Sequence, residues 1–343
     1  HQIKGVFSPA NAFKTTMLYH LSEGKTNYVA YGAVNPNGEM QIELEASAPA
    51  GMYRLVYALP QSENNFEFIY SGTESVLFNF KNETGVEFTN SKENQLLQSY
   101  HQLMANAQNE FVQLYTQPTL DTLNYKLRAQ KIDSLQKAYE RLSKGTLAAH
   151  FISATKPYIP SHIETVSEYI SNLKTKYFEA IDFKDPVLQN SNFIIDKFLD
   201  YVFRMQFSEI PSLLDYQSNI DVVYKTLATT EPSYQLTTLN AFREVLETSG
   251  DAALAVYLTK TYVLPLARQQ NDTELITTLE TFMRIALGEK APNFVLENPS
   301  ETSNVSLYDL AGADSYLLIF WSSDCSHCLN ELPEIHAYIS SHP

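Results

Sequence analysis

The stretch "GEMQIELEASAPAGMYRLVYAL", residues 38–59, alternates polar and apolar side chains. Such alternation is typical of half-buried β-strands, because successive side chains of a strand point to opposite faces. The residues placed on one face are Ile42, Leu44, Tyr53, Leu55, Tyr57 and Leu59. The Asn-Gly pair of "NPNG", residues 35–38, favours a tight hairpin. We therefore predict a strand-rich fold here.

Two further runs extend this pattern to residue 80. "FEFIY", residues 66–70, and "SVLFNF", residues 75–80, are short, apolar and rich in aromatic side chains. Residues 1–90 are accordingly predicted to form a small antiparallel β-sandwich of about seven short strands.

The hydrophobic period changes at residue 91. In "SKENQLLQSYHQLMANAQNEFVQLY", residues 91–115, apolar side chains recur at helical spacing, and Ser91 is a plausible N-cap. Similar patterns recur at 120–142, 163–178, 193–203, 236–246, 252–263 and 274–286. Residues 91–286 are therefore predicted to form an all-helical domain, and the whole chain a multidomain α+β protein.

Charge and hydropathy exclude some classes of partner. The chain has 24 Lys and Arg against 39 Asp and Glu, a formal net charge of −15. Phosphate binding needs a cationic surface, so we expect no nucleic acid partner. No run approaches the roughly 20 consecutive apolar residues that a membrane-spanning helix requires. Since the chain begins at His1 and not at Met, we interpret the N-terminus as processed, with a signal or lipid anchor removed, or as a remnant of expression.

Both cysteines lie in "FWSSDCSHCLNELP", residues 320–333. A Cys-x-x-Cys pair is typical of a dithiol redox centre, although half of a metal site or a chance pairing would look the same. A structural zinc site needs four ligands, whereas Cys325, His327 and Cys328 supply three at most. We therefore favour redox chemistry and predict no metal and no cofactor.

The local pattern places the two sulfurs at the opening of a helix. "SYLLIFW", residues 315–321, is predicted to form a buried strand, and a helix begins at the cysteines. Free backbone N–H groups and the helix dipole would then stabilise the Cys325 thiolate, with Cys328 one turn further on. A cationic His327 would also lower the thiol pKa, and an ionised Asp324 would oppose it.

This segment resembles the TlpA/ResA-like thioredoxin-fold thiol-disulfide oxidoreductases, whose pattern runs G-x-x-A-P-x-F, then L-x-D-L, then F-W-A-x-W-C-x-x-C-x-x-E-x-P. The matching positions are Gly288, Ala291, Pro292, Phe294, Leu307, Leu310, Phe320, Trp321, Cys325, Cys328, Glu331 and Pro333. The resemblance implies that Cys325 is the attacking thiol and Cys328 the resolving one.

It further implies that Glu331 is a buried acid tuning thiol ionisation and that Pro333 kinks the helix. Plainer interpretations are a solvated helix carboxylate and a kink that aids packing. Asp324 departs from the pattern, because the family usually has Trp there. Ser326-His327 inside the motif resembles more oxidising Cys-Pro-His-Cys centres, in which the histidine favours disulfide donation.

The upstream residues carry a weaker resemblance. "GEMQIELEASAPAGMYRLVY" followed by "NSKENQLLQSY" looks like the β-domain of unknown function that precedes thioredoxin domains in envelope proteins of Bacteroidetes-type bacteria. "YFEAIDFKDPVLQNSNFIIDKFLDYV", residues 177–202, looks like the helical domain that often follows it. This arrangement implies a periplasmic or outer-membrane-associated location. The implied partners are protein thiols and disulfides, a membrane or periplasmic redox partner, a second copy in a homodimer, and a lipid anchor on the unprocessed N-terminus.

Residues 287–343 are expected to be only the N-terminal part of a thioredoxin-like domain. A complete one needs further strands, a cis-proline loop and a last helix, so we expect the segment by itself to be inactive. Two alternatives remain. In the first, residues 1–285 act as an envelope binding or scaffold protein with a regulatory or vestigial redox tail. In the second, Cys325, His327 and Cys328 carry copper or zinc.

Overall fold

The structure, a computed structural model, describes residues 1–22, 25–117, 121–208, 210–286, 290–296 and 305–341. It is a mixed α/β protein, 51% helical and 18% strand. The chain divides into two compact units, His1–Glu289 and Lys290–Pro343. The predicted domain limits 1–90, 91–286 and 287–343 remain a prediction. Leu120, which begins a predicted helical segment, and Gly288, a matched position, lie outside the described residues.

The first unit begins with two four-stranded sheets, ordered β4-β1-β7-β8 and β3-β2-β5-β6. Their strands are β1 Gln2–Ser8, β2 Thr15–Ser22, β3 Lys25–Ala33, β4 Glu39–Glu43, β5 Gly51–Val56, β6 Asn65–Tyr70, β7 Val76–Lys81 and β8 Gly85–Asn90. A single buried cluster draws side chains from both sheets, among them Ile3 and Phe78 of the first and Leu18 and Leu55 of the second. Facing apolar surfaces therefore hold the two sheets together.

One strand pairing differs from the predicted antiparallel arrangement. β1 and β7 run parallel, with Gly5 opposite Phe78, whereas the other pairs are antiparallel. The prediction of an all-antiparallel sandwich is therefore wrong at this pair. Alternation along a strand reports which face is buried, but it carries no information on the direction of the neighbouring strand.

We predict that Gly5→Ala destabilises the first unit by about 1–3 kcal/mol, the usual cost of overpacking a core. A Cβ atom at Gly5 would lie 2.1 Å from Cζ of Phe78, whose ring is 2% exposed and cannot move aside freely. Denaturant unfolding followed by circular dichroism would measure the change. Val6→Ala, at the neighbouring exposed position, is the control and should stay within about 0.5 kcal/mol. Equal stability of the two variants would contradict the packing argument.

Eleven helices follow within the described residues of the first unit. They are α1 Lys92–Val112, α2 Thr122–Leu142, α3 Ala148–Ala154, α4 Val166–Thr175, α5 Pro186–Gln189, α6 Phe193–Leu199, α7 Leu213–Thr226, α8 Pro232–Thr248, α9 Ala252–Leu258, α10 Leu264–Gln269 and α11 Thr273–Arg284. The π-helical turns Asp200–Arg204 and Thr259–Val263 extend α6 and join α9 to α10. Each predicted helical segment contains a helix, whereas α3, α5, α7 and α10 were not among the predictions.

The helices pack against the outer face of the second sheet. Leu21, Met52 and Ile69 belong to the buried cluster of the helices, whereas their neighbours Tyr53 and Phe68 point into the space between the sheets. β5 and β6 are therefore buried on both faces, which is why their sequences are more continuously apolar than a half-exposed strand requires.

Helix α1 also closes two sheet edges with side-chain amides. Asn94 accepts a hydrogen bond from Ile69 N (2.7 Å) and donates to Ile69 O (2.7 Å) on the edge strand β6. Gln95 and Gln98 donate to the carbonyls of Phe88 and Val86 on the edge strand β8. An uncovered edge would present free backbone groups to other chains, so α1 protects both sheets while it docks.

The second unit is small and has little interior. β9 Val295–Leu296 pairs antiparallel with β10 Val305–Ser306, and α12 runs from Ser326 to Ser341 with Pro333 inside it. Residues 315–321 form no strand and are exposed, so that prediction is wrong. A strand needs a neighbour to satisfy its backbone groups, and no described strand lies beside this segment.

Candidate functional site

Cys325 lies at the opening of α12, where the sequence pattern placed it. Its carbonyl accepts the first helical hydrogen bond, from Leu329 N at 3.1 Å, so Cys325 occupies the N-cap position. The turn before it is fastened by Ser322, whose carbonyl accepts from Cys325 N (3.1 Å) and whose hydroxyl accepts from Asp324 N (3.2 Å). This turn directs the Cys325 sulfur towards the N-terminal end of α12.

The Cys325 sulfur performs the role that a Ser or Asp oxygen performs at other helix starts. Cys325 Sγ accepts a hydrogen bond from the backbone N–H of Cys328 at 3.3 Å. Both cysteines are half-buried free thiols. The Cys328 thiol, and then the backbone N–H groups of Cys328 and His327, donate to this sulfur and lower the pKa of Cys325. These hydrogen bonds therefore stabilise the ionised form of Cys325, the residue to which the resemblance assigns the attacking role.

The remaining predicted site residues are close in sequence, but they lie in solvent. The side chains of Trp321, Asp324, His327, Glu331 and Pro333 are all exposed. The resemblance implied a buried Glu331, and this is corrected by the structure: Glu331 is exposed, and α12 has no fully buried residue. His327 contributes its backbone N–H to the Cys325 sulfur, as described above.

Ser322 is a site residue that the sequence reasoning missed. A serine hydroxyl that accepts from the backbone N–H two residues later is a common turn device. The signal was present in "SSDC", residues 322–325. Ser322 stands two positions before Asp324, the residue that precedes the N-cap Cys325.

A group of ionisable side chains with shifted pKa values lies in the first unit, on the outer face of β5 and β6. Arg54 and Glu67 are cross-strand partners, and Arg54 Nη2 lies 2.7 Å from Glu67 Oε1. Burial raises the pKa of Glu67 in spite of that pairing. Burial, followed by the charges of Glu67 and Asp200, raises the pKa of Asp196 on α6 to about 6.

We predict that Asp196→Asn stabilises the protein near neutral pH, and that this effect declines through acid pH and is absent below the ordinary pKa of 3.8. An acid whose folded pKa is raised favours folding below its unfolded pKa, and this contribution is lost as pH rises through about 6. Since Asp196 keeps contact with solvent, we expect a gain below about 1 kcal/mol. Thermal unfolding of both proteins across the acidic range would test the sign. An equal difference at every pH would contradict it.

Comparison with known proteins adds no identification: no family model, no curated protein and no solved structure matches the chain. No described helix is long and apolar enough to span a membrane. The described residues include no group of three or more His, Cys, Asp or Glu side chains arranged to hold a metal ion.

Proposed function

We propose that the protein is a thiol-disulfide oxidoreductase of the cell envelope, related to the TlpA/ResA-like thioredoxin-fold enzymes, which exchanges disulfides with protein substrates through Cys325 and Cys328. One observation carries the proposal: Cys325 Sγ occupies the N-cap of α12 and accepts a backbone hydrogen bond from the second cysteine of the pair. That arrangement stabilises a thiolate and holds the resolving thiol beside it.

The exchange follows from this geometry. The Cys325 thiolate attacks one sulfur of a substrate disulfide, whose S–S bond breaks, and the other substrate sulfur leaves as a thiolate that takes up a proton. Cys328 then loses its proton and attacks Cys325 Sγ, which releases the second substrate thiol. The substrate gains two electrons and two protons, and Cys325 and Cys328 become a disulfide. The reverse sequence donates that disulfide to a substrate dithiol.

Thiolate stabilisation decides how fast the first step proceeds. A thiol with an ordinary pKa near 8.5 is only about 3% ionised at neutral pH. The lowered pKa of Cys325 raises that fraction and with it the rate of the first step. His327 stands between the two cysteines in the sequence, as in the more oxidising centres that the motif resembles, and its backbone N–H donates to Cys325. We therefore propose that the centre favours the reduced form and donates disulfides.

The envelope location and the partners belong to the same proposal. An oxidising compartment such as the periplasm keeps disulfide exchange productive, whereas the cytosol keeps thiols reduced. We propose protein thiols and disulfides as substrates, together with a periplasmic or membrane-bound redox partner. The first unit would position the redox segment, in a homodimer or through a lipid anchor.

Redox titration with glutathione tests the proposal directly. The reduced chain is equilibrated in buffers of increasing glutathione disulfide content, alkylated, and analysed by mass spectrometry. We expect a cooperative conversion of both thiols into one intramolecular disulfide. The Cys325→Ser/Cys328→Ser chain is the blank. Independent addition of glutathione to each cysteine, with no internal disulfide at any ratio, would reject the function.

The scaffold alternative is favoured by the size of the first unit, since His1–Glu289 is compact and has its own cores. In that case the first unit functions by binding a partner, and the cysteines are dispensable. Pull-down from envelope extracts with the double cysteine variant of the whole chain distinguishes the two: unchanged capture of the same partners would favour the scaffold.

A further inference from the structure

Hydrogen bonds hold the backbone of Cys325 on both sides. On the N-terminal side Cys325 N donates to the Ser322 carbonyl at 3.1 Å, and on the C-terminal side the Cys325 carbonyl accepts from Leu329 N at 3.1 Å. The sulfur accepts from Cys328 N at 3.3 Å. Because the backbone N–H and the carbonyl are both bonded, the position of the sulfur depends on one side-chain torsion. The contact with Cys328 N therefore requires the turn and the helix together.

Ser322 supplies two of the hydrogen-bond acceptors in that turn. Besides its carbonyl, its hydroxyl accepts from Asp324 N at 3.2 Å. Every amino acid has the carbonyl, whereas the hydroxyl belongs to the side chain, and serine commonly closes turns in this way. The identity of residue 322 therefore decides whether the second hydrogen bond exists.

Tertiary packing contributes little to this turn. Residues 315–324 are exposed, and α12 has no fully buried residue. A segment with few buried contacts opens at low free-energy cost, so its local hydrogen bonds decide how often the closed conformation is populated. The Ser322 hydroxyl is thus one of a small number of groups that keep the turn closed.

Ionisation of Cys325 depends on the closed turn. Its sulfur accepts from the Cys328 thiol and then from the backbone N–H groups of Cys328 and His327, and these donors lower the pKa of Cys325. The helix fixes the backbone donors, so the sulfur reaches them only while Cys325 is held at the N-cap. Opening of the turn would return the sulfur to water and its pKa towards that of an ordinary thiol.

We propose that Ser322 is a positioning residue of the dithiol centre. Its hydroxyl keeps the turn 322–325 closed, and the closed turn holds Cys325 Sγ against the N–H groups that stabilise its thiolate. This role rests on the proposed redox function and adds to it the residue that sets how readily the attacking thiol ionises. Ser323 offers a matched comparison, since it lies in the same exposed turn and none of the hydrogen bonds described above involves its hydroxyl.

Alkylation of the reduced whole chain with iodoacetamide, at a series of pH values and with each cysteine quantified by mass spectrometry, tests this role. The pH at half-maximal rate reports the ionisation of Cys325, and the rate at alkaline pH reports access to its sulfur. We expect Ser322→Ala to raise the half-maximal pH by about half a unit, which slows alkylation at neutral pH about threefold and leaves the alkaline rate unchanged. Ser322→Thr retains a hydroxyl and should restore the wild-type profile, and Ser323→Ala should not alter it.

Three results would reject the positioning role: a wild-type profile in Ser322→Ala, an equal shift in Ser323→Ala, or a Ser322→Thr profile that matches Ser322→Ala. Ser322 is exposed and lies outside the first unit, so its replacement should leave folding unaffected. Glutathione titration of the wild-type chain judges the redox function separately. If an internal disulfide forms there while Ser322→Ala keeps the wild-type profile, only the positioning role is lost. If no internal disulfide forms, the redox function fails and the positioning role fails with it.

Discussion

Cys325→Ser is expected to abolish thiol-disulfide exchange by this protein at neutral pH. The serine hydroxyl can still accept the Cys328 backbone N–H, so the helix start is preserved while the nucleophile is lost. Cys328→Ser should instead accumulate a mixed disulfide with the substrate, because the Cys325 thiolate still attacks and no thiol remains to resolve the product. Incubation with a small aromatic disulfide, followed by mass spectrometry, would detect a stable mixed disulfide in Cys328→Ser alone.

The matched control is a change of similar size that leaves both sulfurs in place. Ser326→Ala, at the first residue of α12, serves this purpose and should keep exchange at a similar rate. If Cys325→Ser retained exchange as fast as the wild-type chain, Cys325 would be neither the attacking nor the resolving thiol, and the two-thiol mechanism would be refuted.

Asn94→Leu is expected to destabilise the first unit by about 3 kcal/mol or more, since it leaves buried backbone groups unpaired at about 1–3 kcal/mol each. Asn94 is 3% exposed, and its amide holds both the N–H and the C=O of Ile69 and also donates to the Ser91 hydroxyl at 2.7 Å. Leucine fills similar space but satisfies none of these groups. Denaturant unfolding followed by both circular dichroism and tyrosine fluorescence would measure the loss.

Asn106→Leu provides the comparison for this substitution. Asn106 is exposed on the same helix, so the change tests leucine in α1 without touching a sheet edge. Its expected effect is within about 0.5 kcal/mol, because surface changes away from special contacts are small. A similar loss in both variants would show that leucine destabilises α1 itself, and that the hydrogen bonds of Asn94 to β6 do not account for the loss of stability.

The dithiol site was predictable because its signals are local. A cysteine before a run with helical spacing predicts an N-cap, and the bond from Cys328 N to Cys325 Sγ spans three positions. The exposure of Glu331 was not predictable in this way. Whether a residue is buried depends on what packs over it, and a motif that matches a family carries no information on what covers its helix in this chain.

The same division applies to the first unit. Alternation before residue 91 and helical spacing after it predicted strands and then helices, because each pattern depends on neighbours a few positions apart. The parallel pairing of β1 with β7, the burial of β5 and β6 on both faces, and the Asn94 contact with Ile69 join residues distant in sequence.

By itself, then, the sequence determined that strands give way to helices near residue 91 and which thiol opens a helix, since backbone geometry and hydrogen bonding within one turn decide these. Only the tertiary structure decided which strands pair and which sheet edges are closed. Those features arise from packing between distant segments, and the energy of each contact exists only once both partners have been brought together.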